Sequence, residues 1–204
     1  DLDAPAKLLF PGGKPKAFTT SFDDGLNTDR RLVGIFKQYG IRGTFNVPVS
    51  SEVGTNGIAT IYAGHEVAVH DMGDFKQAAN ALAAVAGYPV RGLAYVGGGF
   101  TTEMAAGLAD QGIRYGRGSG THRWFDIHTN FTTWSTTCHQ NDAMKYGAPF
   151  LGFQGRPALL SIWGHTYEFK SDADWARIED LCKLVGKRDD IWYATNIEIV
   201  DYLT

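Results

Sequence analysis

The chain has 204 residues, of which 44% are hydrophobic and 20% charged, and a formal net charge of -3. That length suffices for one substantial core, read as a single domain over residues 1–204, and the scatter of Lys and Arg along it argues against a nucleic-acid partner. No stretch approaches the roughly 18 apolar residues of a membrane helix.

Asp1-Leu2-Asp3-Ala4-Pro5 lacks the basic-then-apolar pattern of a signal peptide, so none is expected in this sequence. Cys138 and Cys182 are too few for a disulfide framework and lack zinc-type spacing; they either pair or stay free.

In chain order, apolar or β-branched runs predict short strands at residues 17–22, 43–49, 66–70, 93–96, 113–115, 158–163 and 191–195. After the first of these, Leu32, Ile35, Phe36 and Tyr39 follow helical spacing, with Gly40 placed as a C-terminal stop. An Ala-rich helix is predicted over 76–86, ending at Gly87, and another over 103–110, with Thr102 as N-cap and an end near Gly112. Residues 116–150, rich in aromatic residues, Thr and Gly, read as irregular strands and loops over one end. A last helix carries Trp175, Ile178, Leu181, Cys182 and Val185 as its apolar stripe, capped by Ser171 and closed by Gly186. This alternation predicts an α/β fold, a parallel sheet closing into a distorted (β/α) barrel that is seven-stranded and incomplete.

Residues able to do chemistry recur at the C-terminal ends of the predicted strands. Asp23 and Asp24 follow the first, Asn46 ends the second, His70 the third, and His165 follows the sixth. By itself Asp23-Asp24-Gly25 also reads as a turn, since Asp and Gly dominate turns. Convergence at the rim that carries barrel active sites favours a site. Asp74, four residues after His70, can turn back toward the same point, and imidazole with carboxylates suits zinc or another divalent first-row metal. Asp24, His70 and Asp74 with an open position describe a catalytic metal site.

The order of these motifs resembles the polysaccharide deacetylases of the NodB-homology type, carbohydrate esterase family 4, from about Lys16 to the C-terminus. Ser21-Phe22-Asp23-Asp24-Gly25 is similar to that family's Thr-Phe-Asp-Asp-Gly. Gly43-Thr44-Phe45-Asn46, Gly64-His65-Glu66-Val67 leading to His70, Ile162-Trp163-Gly164-His165 and Trp192-Tyr193-Ala194-Thr195-Asn196 follow in the same order. The resemblance implies Asp23 as general base, Asp24 and His70 as metal ligands and His165 as general acid. It further implies one divalent ion, zinc first with cobalt, nickel or manganese as alternatives, and an extracellular or cell-envelope location. The carbohydrate substrate it implies is a chitooligosaccharide, peptidoglycan or another acetylated polysaccharide.

Two departures stand out. Asp74 occupies the place of the family's second histidine, and it either ligates the metal or points away. The family's third motif is replaced around Val90-Arg91-Gly92-Leu93-Ala94-Tyr95-Val96-Gly97-Gly98-Gly99, with Ala94 where the base-orienting Arg belongs. The Gly97 N–H remains available to an oxyanion, and Arg91 either reaches the site or forms a surface salt bridge. His65 reads as structural, while His122, His128 and His139 read as loop histidines. Trp134, with His139, is the candidate groove residue, ahead of Trp124, Trp163 and Tyr167. The expected activity is metal-dependent removal of acetyl groups from an N-acetylated carbohydrate. The alternatives are hydrolysis of another C–N bond, as in a cyclic ureide or imide, and a carbohydrate-binding relative without catalysis.

Overall fold

A computed structural model describes residues 9–204. The N-terminal stretch read as lacking a signal peptide lies outside these residues. Strand and helix alternate through β1 (Lys16–Asp23), α1 (Asp29–Tyr39), β2 (Thr44–Val47), α2 (Gly54–Ile61), β3 (Glu66–Val69), α3 (Phe75–Ala86), β4 (Gly92–Ala94) and α4 (Thr102–Ala106). The second half comprises β5 (Tyr115–Thr121), β6 (Trp134–Thr136), β7 (Cys138–His139), α5 (Met144–Gly152), β8 (Ala158–Gly164), α6 (Asp172–Val185), β9 (Ile191–Tyr193) and α7 (Asn196–Leu203). None of these helices is long and apolar enough to cross a membrane.

Every named strand pairing is parallel, in the order β6-β5-β4-β3-β2-β1-β8-β7, with β9 against β1. The two ends of that order, β6 and β7, flank the single residue Thr137, so one segment faces β5 on one side and β8 on the other. This is the expected distorted barrel. The sheet has nine strands where seven are expected: β9 answers the strand predicted at 191–195, and the two additional strands, β6 and β7, lie in the stretch read as irregular.

β1 is buried along its whole length because β8 flanks one edge while β9 and then β2 flank the other. Alternation separates its two faces. Phe18 and Phe22 join the apolar layer under the helices, with Leu32, Phe36, Phe45, Leu82 and Leu181. Ser21 and Asp23 point the other way, into an interior that is polar: Asn46 on β2 and Arg117 on β5 both hydrogen-bond Ser21 Oγ, at 2.8 Å each.

Two helices, α2 and α5, escape the sequence reading, and β5 is longer than predicted. α2 contains Gly54 and Gly57, and α5 contains Gly147 and Pro149, which lower local helix preference. The glycine eases the approach of α5 to α6, since a Cβ on Gly147 would lie 2.8 Å from the Cδ2 methyl of Leu184, which would have to shift. β5 extends to Thr121, well past the predicted 113–115, with glycine at 116, 118 and 120. A Cβ at Gly116 would strike the Tyr95 ring at 2.5 Å. α7 was likewise unpredicted. The helix predicted over 103–110 divides into α4 and a 3₁₀ turn, Ala109–Gln111, and its N-cap is Thr101 rather than Thr102. Ser171 caps α6 as expected, within a reciprocal capping box with Asp174.

Candidate active site

The end of β1 delivers Asp23 into the barrel interior, where it is buried. Its Oδ1 accepts from Asn46 Nδ2 at 2.9 Å and from Arg117 Nη2. Arg117 is buried too, donating through Nε to Ser21 Oγ and through Nη1 to the Gly118 carbonyl, with its guanidinium 5.0 Å from the centre of the Trp163 ring. A buried carboxylate is tolerated when a hydrogen-bonded opposite charge meets it, and Arg117 is that charge. The sequence reading missed it. Arg91, named for this place, sits before β4 at the end where the strands begin, and makes a two-pronged salt bridge with Asp201 on α7, at 2.9 and 2.7 Å. The signal that marks Arg117 is a lone arginine between glycines in the buried first half of a strand.

Asp24 comes next, where the chain leaves β1 with φ 86, followed by Gly25 with φ 62. Such a conformation is strained for a residue other than glycine and is characteristic of functional turns. It directs the Asp24 carboxylate outward, 35% exposed, with Oδ1 3.3 Å from His70 Nε2. His70 Nδ1 lies 2.8 Å from the Ala94 carbonyl, which can only accept, so Nδ1 carries a ring proton, while Nε2 faces Asp24, as an N–H donor in the imidazolium and as a lone pair in the neutral ring. The His70 hydrogen bond holds the Asp24 carboxyl below its ordinary range, against a raising effect of burial. For His70, burial pushes downward, but the Asp24 hydrogen bond, the Asp23 charge and the Ala94 carbonyl together carry it upward.

An imidazole whose second nitrogen is fixed by a backbone carbonyl, converging with a carboxylate oxygen, supplies two of the three protein donors of a catalytic first-row metal site. Asp24 and His70 fit such a site. Asp74 does not join them. It caps α3, its Oδ1 accepting from Gln77 N at 2.9 Å, as an exposed side chain. An Asp one residue before a helix satisfies an otherwise orphaned amide, and that local contact wins over the turn back toward His70.

The loop after β8 supplies His165, whose Nε2 stands 3.7 Å from Asp23 Oδ2. Its Nδ1 is 2.5 Å from Glu168 Oε1, and the same oxygen is 3.0 Å from His139 Nε2. His139 is not a loop histidine as its sequence context predicts; the short strand β7 brings it here. Among the described residues, His139, His165 and Glu168 form the one group of three metal-type side chains with ligand atoms all within 4.8 Å of one another.

Hydrogen bonding decides how this group is wired. His139 Nδ1 accepts from the Asn141 N–H at 3.2 Å, so the ring proton sits on Nε2 and donates to Glu168. A metal on that nitrogen would require moving the proton onto Nδ1, against a donor. Glu168 is thus an acceptor shared by two imidazoles. It fixes the His165 proton on Nδ1 and leaves Nε2 toward Asp23. Gln140 holds the same residue by its backbone, donating from Nε2 to the His165 carbonyl at 3.0 Å, and Gly164 is required because a Cβ there would meet Gln140 Oε1 at 2.2 Å.

Trp134 is not a groove residue. It is 1% exposed and packs edge-on against Tyr115 and Phe131, because β6 turns it into the core. Of the other groove candidates, Trp124 and Tyr167 are open to solvent, and Tyr167 lies over His165 at 4.8 Å. Gly97 falls in an exposed turn after β4 with φ 67. His65 accepts from the Gly43 N–H at 2.9 Å, and burial lowers it to about 4, consistent with its structural reading.

No protein-family model and no curated protein sequence matches the chain. Solved structures do. One described as a polysaccharide deacetylase from Mycobacterium smegmatis matches with a TM-score of 0.73 at 17% identity, covering 98% of this chain and 93% of that one. A second, from Pseudomonas aeruginosa PAO1, gives 0.68 at 14% identity, covering 98% and 94%. The chain has the polysaccharide deacetylase fold. On that fold the Puue allantoinase also matches, with a TM-score of 0.72 at 14% identity and coverage of 98% and 94%. So does a CE4 family pseudoenzyme from Bacillus anthracis, at 0.59, 15% identity and coverage of 98% and 70%. The polysaccharide deacetylase fold here places Asp23, Asp24, His70 and His165 together at the ends of β1, β3 and β8.

Proposed function

We propose that this chain is a metal-dependent amide hydrolase that removes acetyl groups from an N-acetylated carbohydrate. The observation that carries the reading is the approach of His165 Nε2 to Asp23 Oδ2, 3.7 Å, beside the Asp24–His70 pair. Asp23, held by Arg117 and Asn46, takes a proton from the attacking water. His165, protonated on both nitrogens, gives its Nε2 proton to the departing amine, while Glu168 holds the Nδ1 proton and stabilises the imidazolium. The Gly97 N–H is the oxyanion donor. Asp24 and His70 would hold the divalent ion, which, when bound, would polarise the amide carbonyl and lower the pKa of water. Zinc is the first choice, with cobalt, nickel or manganese as alternatives, and the extracellular or cell-envelope location suits a polymeric substrate.

The test is acetate release from chitooligosaccharides, peptidoglycan fragments and acetylated xylan by protein stripped of metal and reloaded with each ion. Release from chitooligosaccharides or peptidoglycan fragments supports the reading; release from xylan alone, whose acetyl groups are esters, or none with any ion, overturns it. The likeness to an allantoinase favours a second reading, hydrolysis of another C–N bond such as that of a cyclic ureide or imide. Ammonia or ring-opened product without acetate release would select it.

A further inference from the structure

Asp29, at the start of α1, plays no part in the proton transfers above, yet its side chain is fully buried. Donors from three separate segments meet it. Tyr62 Oη, just past α2, donates to Oδ2 at 2.5 Å, and the Leu26 N–H donates to the same oxygen at 3.2 Å. Thr166 Oγ1, in the residue following His165, donates to Oδ1 at 2.6 Å. Thr28 Oγ1 lies 2.6 Å from Thr166 Oγ1; since the Thr166 proton goes to Asp29, Thr28 donates.

Burial pushes the Asp29 carboxyl up to about 6, against the lowering effect of these hydrogen bonds. A fully apolar side chain here would avoid that desolvation, so the carboxylate is an expensive way to fill the position. What it provides in return is a direction-specific link between the loop carrying Asp23 and Asp24 and the loop carrying His165.

We propose that Asp29 is a positioning residue that acts through Thr166 to hold the His165 loop in register with the Asp23-Asp24 turn. This rests on the functional reading above, in which His165 is the proton donor. The link is independent of Glu168 and Gln140, which grip the His165 ring and carbonyl; Asp29 fixes the next residue, and with it the position of the His165 backbone over Asp23.

Thr166→Val removes the link while leaving Asp29 its Tyr62 and Leu26 donors, and Thr166→Ser keeps the hydroxyl. In nitrogen-detected NMR of the unliganded protein, Thr166→Val shifts or broadens the His165 imidazole signals while those of His65, at the opposite end of the barrel, stay in place. Thr166→Ser retains the wild-type spectrum. Turnover by Thr166→Val falls about tenfold with KM within twofold, as a small misplacement of a proton donor should give. Unaltered His165 signals in Thr166→Val, whatever its melting temperature, would overturn the proposal. The spectroscopic arm needs no substrate, so failure of the deacetylase reading and failure of the positioning link are separate outcomes.

Discussion

The guanidinium of Arg117 on β5 grips the carboxylate of Asp23 at the end of β1, with both side chains buried in the barrel interior. Removing one partner of such a pair strands the other charge in a medium that solvates it poorly. Arg117→Met should destabilise the protein by about 3–5 kcal/mol, and adding Asp23→Asn should recover most of the loss. Urea unfolding of both variants measures this; a single-variant loss below about 1 kcal/mol would show that the interior solvates Asp23 without Arg117.

Metal content separates the two roles in the Asp23-Asp24 turn and the one taken by Asp74. Asp24→Ala and His70→Ala should lose the bound ion, whereas Asp23→Asn should retain it and lose turnover. Asp74→Ala should also retain the ion, and cost about 1 kcal/mol through the missing helix cap. Elemental analysis after dialysis, together with thermal unfolding, checks all four. Loss of metal in Asp74→Ala would restore that residue as a ligand.

Glu168 orients His165 and stabilises its protonated ring, so Glu168→Gln should lower kcat about 10²-fold and leave KM near the wild-type value. His139→Ala removes only the second donor to the shared oxygen and should have the smaller effect. Steady-state acetate release distinguishes them; equal losses would mean that the three groups act as one unit.

Two buried acids make stability pH-dependent. Burial raises Glu66 from 4.5 to about 7 against hydrogen bonds from Tyr115, Ile197 and Thr44, and raises Asp29 from 3.8 to about 6. Raised carboxyls bind protons more tightly folded than unfolded, so their contribution is fully present below the unfolded value and is lost as pH rises through about 6 to 7. His65, lowered from 6.5 to about 4, acts in the opposite sense: its contribution is present above 6.5 and is lost as pH falls through about 4. Glu66→Gln isolates one acid. The stability difference between wild type and this variant should move by on the order of 3 kcal/mol between acid and neutral pH, with wild type favoured in acid. Denaturant unfolding across that range checks it, and a flat difference would mean that Glu66 is solvated in the folded state.

Much of this was legible in the chain because it is local. Period-2 and period-3.6 patterns mark β1, α1, α3 and α6, and glycines close two of those helices at Gly40 and Gly87. The catalytic-type residues stand at strand ends, which is a matter of order along the chain. The alternating pattern also implied a parallel barrel, since successive parallel strands require crossovers. What stayed hidden depended on contacts between distant segments: at the glycines of β5 and α5, Tyr95 and Leu184 approach closely, a gain no local propensity records.

The sequence by itself determined the architecture and the presence of Asp23, Asp24, His70 and His165 on one rim, because those follow from pattern and order. Only the tertiary structure decided their wiring. Which arginine meets Asp23 depends on β5 lying across the barrel from β1, and Arg91 at the other end had equal chemistry but no reach. Asp74 was lost to a helix cap because a hydrogen bond three residues away costs less ordering than a turn toward His70. His139 was gained because β7 pairs with β8 and carries it beside Glu168. Charge and hydrogen-bond complementarity are properties of distances, and distances between remote residues exist only once the chain has folded.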